Sequence, residues 1–212
     1  MTLLLHIECS PRKQRSASLE VARHFIDRYQ QNVPDTEVVT LDLWSLDLPE
    51  FDGPVMDAKY AGLNGTALTE EQEVAWRAVK SLAAYLHEAD VLVFSIPLWN
   101  FAVPYKLKHF IDVVSQKDVL FDFSPEHGLQ GLLHGKSAVT VYARGMDFSD
   151  RAAAAEHPMD FQKPYMEAWL KFIGITDVHA LYVEKTILGP DVDLASRRTS
   201  NEQALQLADR LT

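Results

Sequence analysis

Residues 95–112, SIPLWNFAVPYKLKHFID, join an apolar run to an amphipathic segment through a loop that holds two aromatic side chains and an amide. The apolar run Val91–Ile96 leads into this loop and predicts a buried strand. Pro104 stands near the first position of the predicted helix, where its missing N–H costs nothing. A strand–loop–helix unit of this kind places flat surfaces and free backbone amides together, which suits a planar, hydrogen-bonding ring system.

The composition is that of a folded protein whose main partner is not a polyanion. The chain has 212 residues, of which 47% are hydrophobic, and this favours one globular domain over residues 1–212. The formal net charge of −10 argues against nucleic acid or an anionic membrane as the main partner. Cys9 is the one cysteine, which fits a reducing compartment. Because neither a signal peptide nor a membrane-length apolar run is visible, we expect a cytoplasmic protein.

Apolar runs alternate with segments of helical interval along most of the chain. The five runs that predict strands are 2–7, 36–41, 91–96, 137–143 and 178–183. Strands that alternate with helices form parallel sheets through right-handed crossovers, with helices on both faces. We therefore expect an α/β fold, a flavodoxin-like doubly wound five-stranded parallel sheet in the order 2-1-3-4-5.

Two stretches fall outside this alternation. Residues 42–67 contain several prolines and glycines and are predicted to form a long loop with a functional or oligomer-contact role. Residues 119–123 alternate like one arm of a hairpin, and a glycine-containing loop follows them.

Further along, apolar spacing predicts helices over 160–172 and 195–211.

The loops after predicted strands one, three and four are expected to share one ligand, because parallel strands end at one rim of the sheet. The first loop offers serine hydroxyls before a helix whose N-terminal N–H groups carry partial positive charge, which suits a phosphate. A plainer interpretation is that Ser16 or Ser18 caps the helix. In the second loop, Asn100 lies between two aromatic residues and is unlike ordinary core filler. In the third loop, Gly145 permits close backbone approach or a positive φ.

Three motifs make the chain resemble the FMN-dependent NAD(P)H:quinone oxidoreductases known as azoreductases. Their Ser-Pro-Arg…Ser-x-Ser loop is matched within residues 10–18, and their Trp-Asn-Phe segment is matched within residues 97–112. Their Gly-Leu-Leu-x-Gly-Lys run is matched at residues 131–136. Met146 departs from the pattern, since it stands where the family has the second glycine of an Arg-Gly-Gly loop.

The resemblance implies that FMN binds at the three loops and that NAD(P)H passes hydride to it, after which a quinone or azo compound takes the same place. Such a ping-pong cycle needs neither a protein nucleophile nor a metal. It also implies a homodimer with active sites at the interface. The implied cofactor-binding residues are Ser10, Ser16, Ala17, Ser18, Leu98, Trp99, Asn100, Phe101, Ala143, Arg144, Gly145 and Met146. The candidates for the substrate pocket are Trp99, Phe121, Phe148 and Phe161.

Two other functions remain as alternatives. Residues 9–16 fit the Cys-x5-Arg-Ser phosphate loop of low-molecular-weight tyrosine phosphatases, with Cys9 as nucleophile and Arg15 as phosphate clamp. No Asp-Pro pair is present to supply the general acid of that chemistry. The other alternative is a non-enzymatic electron carrier of flavodoxin type, whose acidic surface would fit the net charge.

Overall fold

The computed structural model describes residues 1–148 and 159–212, with only the backbone described at Leu63. In these residues five parallel strands form the central sheet, and two short strands form a separate antiparallel hairpin. The sheet strands are β1 (Thr2–Glu8), β2 (Thr36–Asp42), β3 (Val91–Pro97), β6 (Ser137–Ala143) and β7 (Asp177–Val183), and the hairpin strands are β4 (Phe121–Ser124) and β5 (Gly128–Gly131). The helices are α1 (Ala17–Asn32), α2 (Gly53–Asn64), α3 (Glu70–Glu88), α4 (Tyr105–Val114), α5 (Gln162–Phe172) and α6 (Pro190–Arg210).

The predicted α/β class and the five-stranded parallel sheet are confirmed. In chain numbering the sheet order is β2-β1-β3-β6-β7 rather than 2-1-3-4-5. The difference arises because the hairpin predicted at 119–123 contributes two strands of its own, β4 and β5, between β3 and β6.

The largest differences from the prediction are one additional helix and one earlier helix start, both at positions where proline or glycine stands at a helix end. Residues 42–67 are not all loop, since they contain α2. This helix has Pro54 in its first turn, and it is followed by Gly65, whose φ of 67° is the left-handed conformation typical of a helix terminus. Likewise α6 begins at Pro190, before the predicted residue 195, directly after Gly189.

A hydrophobic core lies on each face of the sheet. On one face Phe25 of α1 and Leu207 of α6 are buried against the strands. On the other face the buried side chains include Leu82 of α3, Phe110 of α4 and Leu170 of α5. The loops at the carboxyl ends of the strands lie between these two helical layers, at the position where parallel sheets bind ligands. Among the described residues, no helix combines the length and the apolar character needed to cross a membrane.

The sheet interior contains an ionisable side chain, that of His6. His6 of β1 is 3% exposed, and its Nε2 is 2.5 Å from the Oγ of Ser95 on β3. Burial, with a smaller contribution from the charge of Arg23, lowers the pKa of His6 to about 4. The ring is therefore neutral at pH 7, which avoids placing a charge in the sheet interior.

We predict that His6 makes the folded state sensitive to mild acid. Between about pH 6.5 and pH 4 the unfolded chain takes up this proton and the folded chain does not, so the free energy of unfolding falls as the pH falls. The full contribution is about 3 kcal/mol, which is present above the unfolded pKa and lost on the way to the folded pKa. Urea unfolding of the wild type and of His6→Gln across this range checks it. Equal pH dependence in the two proteins would contradict the prediction.

Candidate cofactor site

The three predicted loops lie side by side at one rim of the sheet. Strands β1, β3 and β6 are neighbours, and the ladder of backbone hydrogen bonds continues beyond their ends. The Cys9 N–H donates to the Ser95 carbonyl at 3.2 Å, and the Leu98 N–H donates to the Ala143 carbonyl at 2.8 Å. The first residues of the loops are therefore fixed relative to one another.

The first loop presents hydroxyl and amide donors at the N-terminus of α1. Ser10, Ser16 and Ser18 are all buried, and the Oγ atoms of Ser16 and Ser18 are 3.2 Å apart. Ser16 is also the N-cap, because its Oγ accepts a hydrogen bond from Leu19 N–H at 3.5 Å. The N–H groups of Ala17 and Ser18 lack an acceptor inside the helix, as the first groups of any helix do. This donor set, together with the positive end of the helix dipole, suits an anion.

A cluster of charged side chains joins the first loop to the ends of β1 and β2. Lys13 adopts a φ of 50°, and its Nζ contacts the carboxylates of Glu8, at 3.3 Å, and Asp42. Arg23 of α1 approaches the other oxygen of Glu8 at 3.6 Å. The charge of Lys13 is thus balanced within the protein, whereas Arg12 and Arg15 are exposed.

The second loop contains a tight turn with unusual backbone angles. Trp99 and Ala102 exchange two backbone hydrogen bonds of 3.0 Å, so Asn100 and Phe101 are the two central residues of a hairpin turn. Their φ values are 46° and 73°, the positive values that a type I′ turn requires. Asparagine tolerates this region, but a bulky aromatic residue there is strained. Strain of this kind is concentrated at functional sites, which supports a ligand-binding role for the turn.

Trp44 is a candidate site residue that the sequence analysis missed. It follows β2, and its indole N–H donates to the carbonyl of Cys9 at 3.0 Å, directly before the first loop. Its ring centroid lies 5.6 Å from that of Trp99 and 5.3 Å from that of Tyr105. Because β2 is the neighbour of β1, its carboxyl end belongs to the same rim. That adjacency was the signal that could have identified Trp44.

The third loop corrects the expectation for Arg144. Its side chain is 1% exposed and points into the protein, where it pairs with Asp160 and Glu184. Its N–H donates to the Val183 carbonyl at 2.8 Å, and its own carbonyl accepts from Thr186 N–H at 3.2 Å. The Arg144 side chain is therefore directed into the protein, where it donates hydrogen bonds to Asp160, Glu184 and the Gln162 side chain and none to the described residues of the first or second loop.

The remaining residues of the third loop are partly available. A Cβ on Gly145 would lie 3.2 Å from the exposed Ile187 side chain. The group that comes close to Gly145 is therefore a side chain of the same protein. Of the two roles predicted for Gly145, a positive φ is not the one observed. Ala143 is half-buried beside Leu98, and the Met146 side chain is exposed beyond the loop.

Of the aromatic residues proposed for the substrate pocket, Phe161 lies beside the turn. It is 60% exposed, and its N–H donates to the Phe101 carbonyl at 2.9 Å. Phe148 is only 4% exposed, because its ring packs 5.0 Å from the Arg144 guanidinium. Phe121 packs against Phe172 at the far end of α5, with ring centroids 4.8 Å apart. In their own chain, Phe148 is thus buried beside Arg144 and Phe121 packs against α5, and their place in the substrate pocket stays a prediction.

The phosphatase alternative is not supported by the geometry of Cys9. The thiol is fully buried and donates to the Ile7 carbonyl, with Sγ and O 3.6 Å apart. Burial, followed by the nearby charges of Glu8 and Asp42, raises the pKa of Cys9 well above its usual value. A nucleophilic cysteine must be an accessible thiolate, and Cys9 is neither accessible nor easily ionised.

Comparison with known proteins agrees with this architecture. Residues 2–208 match a family model described as the flavodoxin-like fold, and the chain belongs to this family. It is 62% identical over 211 residues to a Pseudomonas fluorescens protein named FMN-dependent NADH:quinone oxidoreductase 3, which covers 100% of this chain and 98% of that one. It is 49% identical over 205 residues to a Burkholderia lata protein named FMN-dependent NADH:quinone oxidoreductase 9, covering 95% of this chain and 96% of that one.

A solved structure shares the whole fold. An azoreductase from Bacillus anthracis superposes with a TM-score of 0.86 at 26% identity, covering 99% of this chain and 100% of that one. The resemblance that the sequence motifs predicted is confirmed.

We predict that at the strained turn a glycine variant is more stable than an alanine variant, which is the reverse of the order in a helix. At Phe101 a glycine relieves the positive φ and an alanine does not, so Phe101→Gly should be more stable than Phe101→Ala by about 1 kcal/mol. The control pair is Arg198→Gly and Arg198→Ala on the exposed surface of α6, where alanine should be the more stable by about 1 kcal/mol. Chemical unfolding of the four variants measures both differences. The same order at both positions would show that residue 101 is not strained.

Proposed function

We propose that this chain is an FMN-dependent oxidoreductase that reduces quinones and azo compounds with electrons from NAD(P)H. The observation that carries the proposal is the meeting of an anion-binding donor set and a strained aromatic turn at one rim of the sheet. The names of the relatives, including the Pseudomonas fluorescens protein at 62% identity, support it over the whole length of the chain.

The first loop fits the phosphate of FMN. The donors are the hydroxyls of Ser10, Ser16 and Ser18 and the N–H groups of Ala17 and Ser18 at the start of α1. A phosphate carries oxygens that accept from such donors, and the positive end of the helix stabilises its charge. Since Lys13 is already paired with Glu8 and Asp42, these neutral donors hold the phosphate and Lys13 holds the loop.

The turn in the second loop fits the ring of FMN. Trp99 offers a flat surface whose orientation is fixed by Trp44 and Tyr105. Asn100 is exposed at the tip of the turn and supplies an amide to the polar edge of the ring. Donors held in place at this edge lower the free-energy cost of negative charge developing there. FMN, when bound, supplies the hydride-transfer chemistry, and the protein supplies position and electrostatics.

One open slot serves both substrates in turn. Exposed apolar side chains at the rim, among them Phe101 and Phe161, offer a surface for the flat nicotinamide and then for a flat quinone or azo compound. Because the two occupy the same place, the first product leaves before the second substrate binds, and the kinetics are ping-pong.

The assembly is a homodimer in which residues 1–212 of each chain form one domain and the active sites lie at the interface. Support comes from the large exposed side chains near the site, which a second copy would cover: Phe101, Tyr105, Met146 and Phe161. The single buried cysteine supports a cytoplasmic location.

Anaerobic reduction and steady-state kinetics test the proposed function. The purified protein should contain FMN, lose its yellow absorbance on addition of NADH, and regain it on addition of a quinone. Initial rates at several quinone concentrations should give parallel double-reciprocal lines. If the protein is colourless after incubation with excess FMN and removal of the free flavin, FMN is not its cofactor. A flavin that is reduced but does not support turnover with quinone favours the electron carrier.

We predict that Ser16→Ala combined with Ser18→Ala weakens FMN binding through the phosphate alone. Losing hydrogen bonds to a charged group should lower FMN affinity by roughly 1–3 kcal/mol. Riboflavin lacks the phosphate, so its affinity should not change. Titration of apoprotein with each flavin measures the two effects, and Ser81→Ala on the exposed face of α3 is the control. Equal losses for both flavins would place the phosphate elsewhere.

A further inference from the structure

Arg144 is a buried cation that is hydrogen-bonded to two other segments of the chain, the start of α5 and the end of β7. Its Nη2 donates to Asp160 at 2.6 Å, its Nη1 to Glu184 at 3.3 Å, and its Nε to the Gln162 side chain at 3.1 Å. Its guanidinium also lies 5.0–5.4 Å from the ring centroids of three aromatic residues, which are Phe148, Tyr142 and Tyr182. A guanidinium taken out of water is stable only when its charge and donors are satisfied in this way.

The segment that Arg144 holds, Asp160–Gln162, is in turn hydrogen-bonded to both ends of the aromatic loop. The Gln162 side chain donates to the Ile96 carbonyl at 3.0 Å, where β3 ends. The Phe161 N–H donates to the carbonyl of Phe101, the strained residue of the turn, at 2.9 Å. The same segment carries the exposed ring of Phe161.

Asp160 connects the buried charge to the position of Phe161. One carboxylate oxygen accepts from Arg144, and the other accepts from the N–H groups of Gln162 and Lys163 at 3.1 Å. The carboxylate therefore fixes the backbone on the C-terminal side of Phe161. Without the charge of Arg144 to hold it, this start of α5 would lose its anchor to the third loop.

We propose that Arg144 is a positioning residue which, through Asp160, sets where the Phe161 ring stands at the mouth of the site and so determines the fit of flat electron acceptors. This inference rests on the proposed function for the identity of the acceptor. It differs from a cofactor-binding role, because the Arg144 side chain is buried and its hydrogen bonds go to Asp160, Gln162 and Glu184. Arg144 therefore affects the binding of the electron acceptor and not the affinity for FMN.

The test uses Asp160→Asn in the FMN-loaded protein, alone and combined with Phe161→Leu. Asparagine keeps an oxygen for the two N–H groups at the start of α5 but removes the charge that faces Arg144. If Asp160 acts through Phe161, each single variant should raise the KM for menadione about fivefold, and the double variant should do no more than Phe161→Leu alone. The kcat and the Kd for FMN should change less than about twofold in all of them.

A second readout does not depend on activity. Chymotrypsin should cleave the Phe161–Gln162 bond several times faster in Asp160→Asn, because the segment opens locally. Cleavage after the exposed Phe123 of the hairpin is the internal reference. The matched control is Asp209→Asn, which removes the surface ion pair between α6 and Arg28 of α1, and which should change neither cleavage nor KM.

Three outcomes would overturn the inference. A fall in FMN affinity with an unchanged KM would make Arg144 part of the cofactor site. Multiplying effects of Asp160→Asn and Phe161→Leu would show that the two residues act independently. Unchanged KM and cleavage in Asp160→Asn would show that the buried charge does not position Phe161. If the wild type binds FMN but reduces no quinone, the proposed function fails, and the cleavage experiment still decides the positioning role.

Discussion

The parallel direction of β1, β3 and β6 is the constraint on which the site depends. Neighbouring strands that run the same way end together, so their loops begin side by side. Two backbone hydrogen bonds beyond the strand ends, from Cys9 to Ser95 and from Leu98 to Ala143, extend this alignment into the loops. The sheet thereby brings a serine-rich helix terminus and an aromatic turn to one rim without any contact that is specific to a ligand.

Charged side chains hold the loops at the rim in fixed positions relative to one another. Arg144, with its two carboxylates and three aromatic neighbours, joins the ends of β6 and β7 to the start of α5. Nearer the surface, the partly exposed Lys13 joins the first loop to Glu8 and Asp42. Buried ion pairs contribute little net stability but are costly to break, so they fix one arrangement in preference to others. The strained turn at Phe101 persists because these surrounding contacts hold it.

The fold was largely predictable because the parallel strands are continuous apolar runs bounded by loops. The helix α2 was not, since Pro54 and Gly65 look like loop residues when their position at helix ends is unknown. The meeting of the first and second loops at one rim was predictable from the strand order, and their candidate residues from the serines and from Asn100 between aromatics. The interior role of Arg144 was not, because Asp160 and Glu184 are distant in sequence. The Phe161 side chain is exposed and the Phe148 side chain is buried. This difference depends on tertiary packing, which no local sequence pattern encodes.

Amide hydrogen exchange with and without FMN tests the central claim most directly, namely that three loops bind one cofactor. The account predicts that FMN slows exchange in residues 10–18 and 97–103 together, with slower exchange also at Gly145 and Met146. The outer surface formed by α6 should not change. Protection confined to one loop, or located on the α6 surface, would contradict the account.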